Sequence, residues 1–120
     1  MSNKRELKKY IVNTCGALAA DMIMTGYIFS AVEPTDVQKI INHIATLQAE
    51  SLAKCSLSFD KTPRDFETGA QYHKARKQYF AAAYSKLLKD FNAEVSAIVK
   101  EMNEAIPEEV KTALKEAAAE

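Results

Sequence analysis

Hydrophobic and small side chains recur at steps of three and four along residues 7–29, which is the spacing of one face of an α-helix. A second run on another side, Ala17, Ala20, Met24 and Ile28, leaves the segment with little polar surface. We therefore predict a central helix over about residues 4–31 that neighbouring helices cover on most sides. The first stripe consists of Leu7, Ile11, Cys15, Leu18, Met22, Thr25 and Phe29.

A second amphipathic stripe follows a break at Glu33 and Pro34. Apolar residues run from Val37 to Cys55 at helical spacing and predict a helix over about 36–56. A short connection between two long helices is typical of antiparallel neighbours. The second helix should therefore pack antiparallel on the first.

The pattern loosens over residues 57–69, where polar residues, proline and glycine interrupt it. A long stripe then predicts a helix over about 70–106 that ends at Pro107, and acidic residues open a short helix over about 108–118. The predicted fold class is all-α. It is an antiparallel up-down bundle of three long helices plus a short C-terminal helix, in a single domain.

Composition agrees with this class, because the 120 residues include only 3 glycines and 3 prolines. The 16 basic residues equal the 16 acidic ones, so the net charge of zero gives no general attraction to nucleic acid or to anionic membranes. The 2 cysteines in core-like positions are typical of a reducing compartment. We predict a cytoplasmic protein.

The start of the chain imitates a signal peptide or a membrane anchor, because basic residues precede an apolar run. Asn13 and Thr14 interrupt that run, and no small-residue cleavage site follows at a suitable distance. Asp21 near its centre costs roughly 3 kcal/mol for insertion. We therefore expect a soluble helix and no membrane partner. The basic residues are Lys4, Arg5, Lys8 and Lys9.

A tight turn near residues 32–36 predicts which residues of the first two helices face each other, since both rise equally per residue. The two residue numbers of each facing pair then add up to roughly 68. Cys15 should accordingly lie near Cys55. The two thiols are interpreted either as small buried hydrophobic groups or as a redox pair or metal site.

The same register places Asp21 level with Leu47 and with the third helix around His73. A carboxylate on a mostly covered helix needs a cationic partner, because an unpaired buried charge is costly. Arg76 and Lys77 are the candidates. The ion pair between Asp21 and one of these cations is interpreted either as an interaction that fixes the register of the bundle or as the site of a catalytic acid. We expect Asp21→Ala to cost a few kcal/mol.

Basic residues with interleaved tyrosines follow His73 and form a candidate phosphate-binding face. Nearby acidic residues favour a solvated helix face instead. His43 has no Glu-x-x-His partner typical of a ferritin-like metal site. We predict no metal, cofactor or catalytic residues. The nucleic-acid candidates are Lys74, Arg76, Lys77, Lys86 and Lys89.

The third helix is predicted to extend beyond the first turn from about residue 90 onward. The short C-terminal helix offers too little apolar surface to cover this overhang, so we predict that it forms a two-fold homodimer or binds a partner helix. The dimer-interface candidates are Phe91, Val95, Ile98, Met102 and Ile106.

The N-terminal residues K-R-E-L-K-K-Y, with Asn13 and Cys15 just after them, resemble those of a group of small all-helical bacterial proteins. The resemblance covers mainly the first helix. It implies a bacterial cytoplasmic origin and an all-helical fold, and it brings no catalytic residue or ligand.

Two classes of function follow. The first is a non-enzymatic, self-associating helical interaction module. The second is a bundle that binds nucleic acid through its basic face or a small ligand in a pocket between helices. Such a pocket is expected near Met22, Met24, Tyr27 and Phe29.

Overall fold

The computed structural model describes residues 4–119, with the side chains of residues 113, 114 and 117–119 outside that description. The described part contains helices and no strand, so the all-α class is confirmed. The first helix packs on the second and third, and the second packs on the third. The helices are α1 (Lys4–Ile28), α2 (Pro34–Lys54), α3 (Gly69–Ala105) and α4 (Glu108–Ala119), with a short 3₁₀ turn at Pro63–Asp65.

The turn between α1 and α2 begins earlier than predicted, since α1 ends at Ile28 rather than near residue 31. The backbone N–H of Val32 donates to the carbonyl of Phe29 at 3.1 Å, and this turn buries the Val32 side chain. Pro34 is the first residue of α2 rather than part of the break. Proline suits that position, because its missing N–H would have no helical partner there.

A close approach between α1 and α2 fixes their register. A Cβ atom added to Gly26 would lie 2.8 Å from Cγ2 of Val37. The residue numbers of each facing pair therefore add up to about 63, and the predicted value of 68 is wrong because the turn begins earlier in the chain. On the same side of the pair, Cys15 lies along a groove with Ile44 and Gln48.

The third helix pairs with α2 through its C-terminal half. His43 of α2 contacts both Glu94 and Glu101 of α3, and Lys54 at the end of α2 lines a groove with Leu87. The N-terminal half of α3 therefore extends past the end of α2. The overhang is at the opposite end from the predicted one, because residues 55–68 carry the chain outward instead of turning tightly.

Aromatic side chains of the connecting segment pack on this N-terminal half of α3. The ring of Phe59 lies 5.3 Å from that of Tyr79 and 5.9 Å from that of Tyr72, measured between centroids. Phe66 stacks on Phe59 at 6.4 Å. Just before α3, the Thr68 hydroxyl accepts a hydrogen bond from the backbone N–H of Gln71, which caps the helix.

The core lies between α1, α2 and the C-terminal half of α3. Tyr10 joins α1 to α3, because its hydroxyl donates to Oδ1 of Asn92 at 2.9 Å and its ring meets the edge of Phe91 at 5.8 Å. Aromatic pairs in this arrangement add to the stabilisation from area burial alone. The fully buried larger side chains are Leu7, Ile11, Met22, Val32, Phe91 and Ile98.

Candidate functional site

Asp21 is exposed, and the prediction that it is buried is wrong. It lies on the side of α1 that faces away from α2. Because Tyr10 packs on Phe91, Asp21 lies level with the C-terminal part of α3, on the order of 35 Å along the axis from Arg76. Within residues 4–119, no ion pair joins Asp21 to Arg76 or Lys77.

Cys15 and Cys55 are both free and buried. Burial raises the pKa of each thiol, and the charges of Lys8 and Lys4 partly offset this for Cys55. Cys55 thus lies near the start of α1, whereas Cys15 lies along α2 near Gln48. The corrected register separates the thiols by about two helical turns along the bundle. This arrangement favours two small core residues over a redox pair.

The apolar stripe of α3 that was expected to form a dimer interface lies in the core of the chain itself. Phe91 and Ile98 are buried, and the other three candidates pack partly buried against the same core. The burial of Phe91 and Ile98 argues against this stripe as a dimer interface, because α2 and α1 cover this half of α3. The three partly buried residues are Val95, Met102 and Ile106.

The predicted basic face is divided around α3. Arg76 and Lys77 line one groove beside α1, whereas Lys86 lines another with Asp90 on the α2 side. At 3.6 residues per turn, the predicted basic residues point in several directions instead of forming one surface that could follow a phosphate backbone. These residues are Lys74, Arg76, Lys77, Lys86 and Lys89.

The four residues expected to line a ligand pocket face two different directions, three of them on α1 and Phe29 just after its end. Met22 is buried in the core and Phe29 packs against it. Met24 and Tyr27 are exposed on the opposite side, Tyr27 at 89% of its full accessible area. They therefore do not share a pocket.

The exposed face of α1 is the main feature that the sequence analysis missed. Only one stripe of α1 is buried, because α2 and α3 both pack on the same side of the helix. The opposite side exposes apolar residues at steps of three and four, where full cover was expected. The larger side chains on this face are Val12, Ile23, Met24, Tyr27 and Ile28, exposed by 44% to 89%.

By length and composition, α1 could also cross a membrane, and it is the only such helix in the described part of the chain. Its most apolar window has a mean hydropathy of 1.3 and is 17% buried. Core helices of soluble proteins and signal sequences have the same length and composition, so this property alone does not distinguish between them.

His43 joins α2 to α3 in a way that its sequence neighbours did not indicate. Its Nδ1 lies 2.7 Å from Oε2 of Glu101, and its Nε2 lies 3.2 Å from Oε2 of Glu94. The hydrogen bond to Glu101 is the largest cause of a raised His43 pKa, which burial partly offsets. The seven-residue spacing of the two glutamates, which puts them on one helix face, was the available signal.

Among the described residues, no group of three or more His, Cys, Asp and Glu side chains is arranged to hold a metal ion. No family model, curated protein or solved structure matches this chain. The features of the described chain that can indicate a function are the exposed face of α1 and the grooves beside it.

Proposed function

We propose that this protein is a non-enzymatic helical interaction module that self-associates through the exposed face of α1. The observation that carries the proposal is the row of exposed apolar residues on one side of α1, from Val12 to Ile28, with the small residues Gly16 and Ala20 between the larger ones. Single exposed apolar residues are ordinary on a monomer, but a contiguous apolar face is typical of an interaction site. The proposed occupant is a second copy of this chain.

The sizes of the side chains on this face suit an antiparallel pair of α1 helices. A two-fold axis at Ala20 would place Val12 of one copy opposite Ile28 of the other and Gly16 opposite Met24. Gly16 has no atoms within 4 Å of the position of an added Cβ, so a partner's side chain could approach it closely. Met24 would then face the small Gly16 on both sides of the axis, and the apolar Val12 would face the apolar Ile28.

The distribution of charge supports the same orientation. Four basic residues, at positions 4, 5, 8 and 9, lie near the start of α1. Acidic residues lie just beyond its other end, where Glu33 is exposed and Asp36 lies in the first turn of α2. An antiparallel pair would bring the basic end of each copy towards the acidic end of the other. Such complementarity favours one orientation over the parallel one.

Sedimentation equilibrium at micromolar concentration tests the proposal. We expect the wild-type chain to have the mass of a dimer. The Met24→Lys variant should be a folded monomer, because each dimer would bury two lysines near the axis. Ala82→Lys places the same charge on an exposed position of α3 and should remain a dimer.

Two results would contradict the proposal. A monomeric wild-type chain at these concentrations would exclude self-association as its function. A monomer that co-sediments with anionic lipid vesicles, and that loses this binding in Met24→Lys, would identify a membrane surface as the occupant of the α1 face instead.

A further inference from the structure

A groove of about 440 Å³ lies between the first turns of α1 and the N-terminal half of α3. Leu7 forms its α1 side and is 1% exposed, and three half-buried residues of α3, Phe80, Tyr84 and Leu88, continue the apolar surface. The volume is within the range of small-molecule sites, which is about 300 to 1,000 Å³. The groove can therefore take an apolar chain or ring.

The groove is lined by basic side chains, of which Arg76 and Lys77 are cations. His73, Arg76 and Lys77 line it, and no acidic residue of the described chain does. The Arg76 guanidinium lies 5.0 Å from the centroid of the Phe80 ring, which holds it over the apolar surface. Within residues 4–119, neither Arg76 nor Lys77 forms an ion pair.

Tyr84, which lines the groove, lies close enough to Arg76 for the charge to affect its phenol. Burial raises the pKa of the Tyr84 phenol, and the nearby positive charge of Arg76 offsets part of that rise. From the α1 side, Lys8 and Lys4 act in the same direction on the Cys55 thiol. Tyr84 is partly buried beside Arg76, so an anion bound there would be attracted more strongly than in open water.

We propose that this groove binds a single-chain organic anion, with its acidic head between Arg76 and Lys77 and its apolar chain along Phe80, Tyr84 and Leu88. A guanidinium group can donate two parallel hydrogen bonds to a carboxylate or phosphate head. The apolar wall removes the hydrocarbon chain of the ligand from water. This site is separate from the α1 face and does not depend on self-association.

The surroundings of the groove favour an amphiphile over the two other anions that a basic site attracts. A bare phosphate would leave the apolar wall unused. A polynucleotide would need a continuous basic surface, whereas the lysines outside the groove point elsewhere around α3. The combination of an apolar wall with cations at one side matches a molecule that has both parts.

Isothermal titration calorimetry with dodecanoate, kept below its micelle concentration, tests the proposal. We expect one saturable site per chain. Arg76→Gln should weaken binding at least tenfold, because it removes the guanidinium charge that would pair with the ligand's acidic head. Arg76 is exposed, so the change should not disturb the core. Lys86→Gln, a matched change in the other groove, should bind as the wild type does, and circular dichroism should show that all variants are folded.

Two further ligands test which parts of the molecule are recognised. Dodecyltrimethylammonium has the same chain and the opposite charge, and inorganic phosphate has an acidic head alone; neither should bind detectably. Equal affinity for the cationic amphiphile, or equal dodecanoate affinity in wild type and Arg76→Gln, would overturn the proposal. The Met24→Lys variant should retain dodecanoate binding, and loss there would show that the amphiphile occupies the α1 face instead.

Discussion

The Nδ1 atom of His43 lies 2.7 Å from Oε2 of Glu101, and this contact joins α2 to α3. Glu94 meets the other ring nitrogen at 3.2 Å, so both sides of the imidazole face a carboxylate. The protonated ring can donate to both glutamates at once, whereas the neutral ring can donate to only one. The two helices are therefore held together most strongly when His43 is charged.

Stability should consequently depend on pH. The pKa of His43 is raised above 6.5 in the folded chain, first by the hydrogen bond to Glu101. The stabilisation is complete below pH 6.5 and is lost as the pH rises through the folded-state pKa. Because these side chains are partly exposed, we expect a loss of about 0.2 to 1 kcal/mol. Thermal unfolding across this pH range should show the loss of stability. His43→Gln should remove this pH dependence, whereas His73→Gln should retain it.

Phe91 should be a determinant of stability rather than of self-association. Its side chain is 1% exposed and packs against Tyr10. Phe91→Ala should lower the free energy of unfolding by about 3 to 5 kcal/mol. Ile98→Val is a milder change at a fully buried position and should cost about 0.5 to 1.5 kcal/mol.

Urea denaturation measures both changes, and sedimentation of the folded Ile98→Val variant provides the control. Its self-association should equal that of the wild type. A monomeric Ile98→Val variant with unchanged stability would restore this stripe as the dimer interface.

Gly26 should resist substitution because of the close approach to Val37. An added Cβ would lie 2.8 Å from Cγ2 of Val37, whose branched side chain has few alternative rotamers. Gly26→Ala should therefore lose the gain of up to about 1 kcal/mol that alanine normally brings to a helix interior. Gly16→Ala, with no atoms within 4 Å, should show that gain when measured in dilute, dissociated protein. Val37→Ala should rescue Gly26→Ala, and failure of the rescue would place the strain elsewhere.

Asp21→Ala should change the free energy of unfolding by no more than about 0.5 kcal/mol, because the side chain is exposed. Chemical denaturation of the dissociated protein is the appropriate measurement. A loss of a few kcal/mol would show that Asp21 is buried after all and that the packing of α1 described above is wrong.

The spacing of apolar residues predicted the class and order of the helices, because local periodicity determines both. The buried stripes on α1 and α2 followed from it, as the burial of Ile11 and Ile44 illustrates. The placement of α3 did not follow. It depends on residues 55–68, whose length and aromatic contacts carry the chain past the end of α2, and a register calculated from a tight turn cannot include them.

The exposed face of α1 was missed for a different reason. An apolar residue such as Ile23 has the same sequence signature whether a helix of its own chain covers it or it faces outward. Periodicity therefore located two apolar sides of α1 but could not show which of them the chain itself would cover. The link from His43 to Glu101 was likewise beyond local patterns, because 58 residues separate its partners.

Cysteine cross-linking at Ala20 tests most directly whether α1 is the surface through which two copies associate. The native thiols, Cys15 and Cys55, are buried, so an introduced exposed thiol should react first. Because the proposed two-fold axis passes through this position, Ala20→Cys should form a disulfide-linked dimer rapidly at micromolar concentration when oxidised glutathione is added as the electron acceptor. Ala82→Cys, on α3, should react only at the slow rate of random collision. Equal rates for the two variants would contradict self-association through α1.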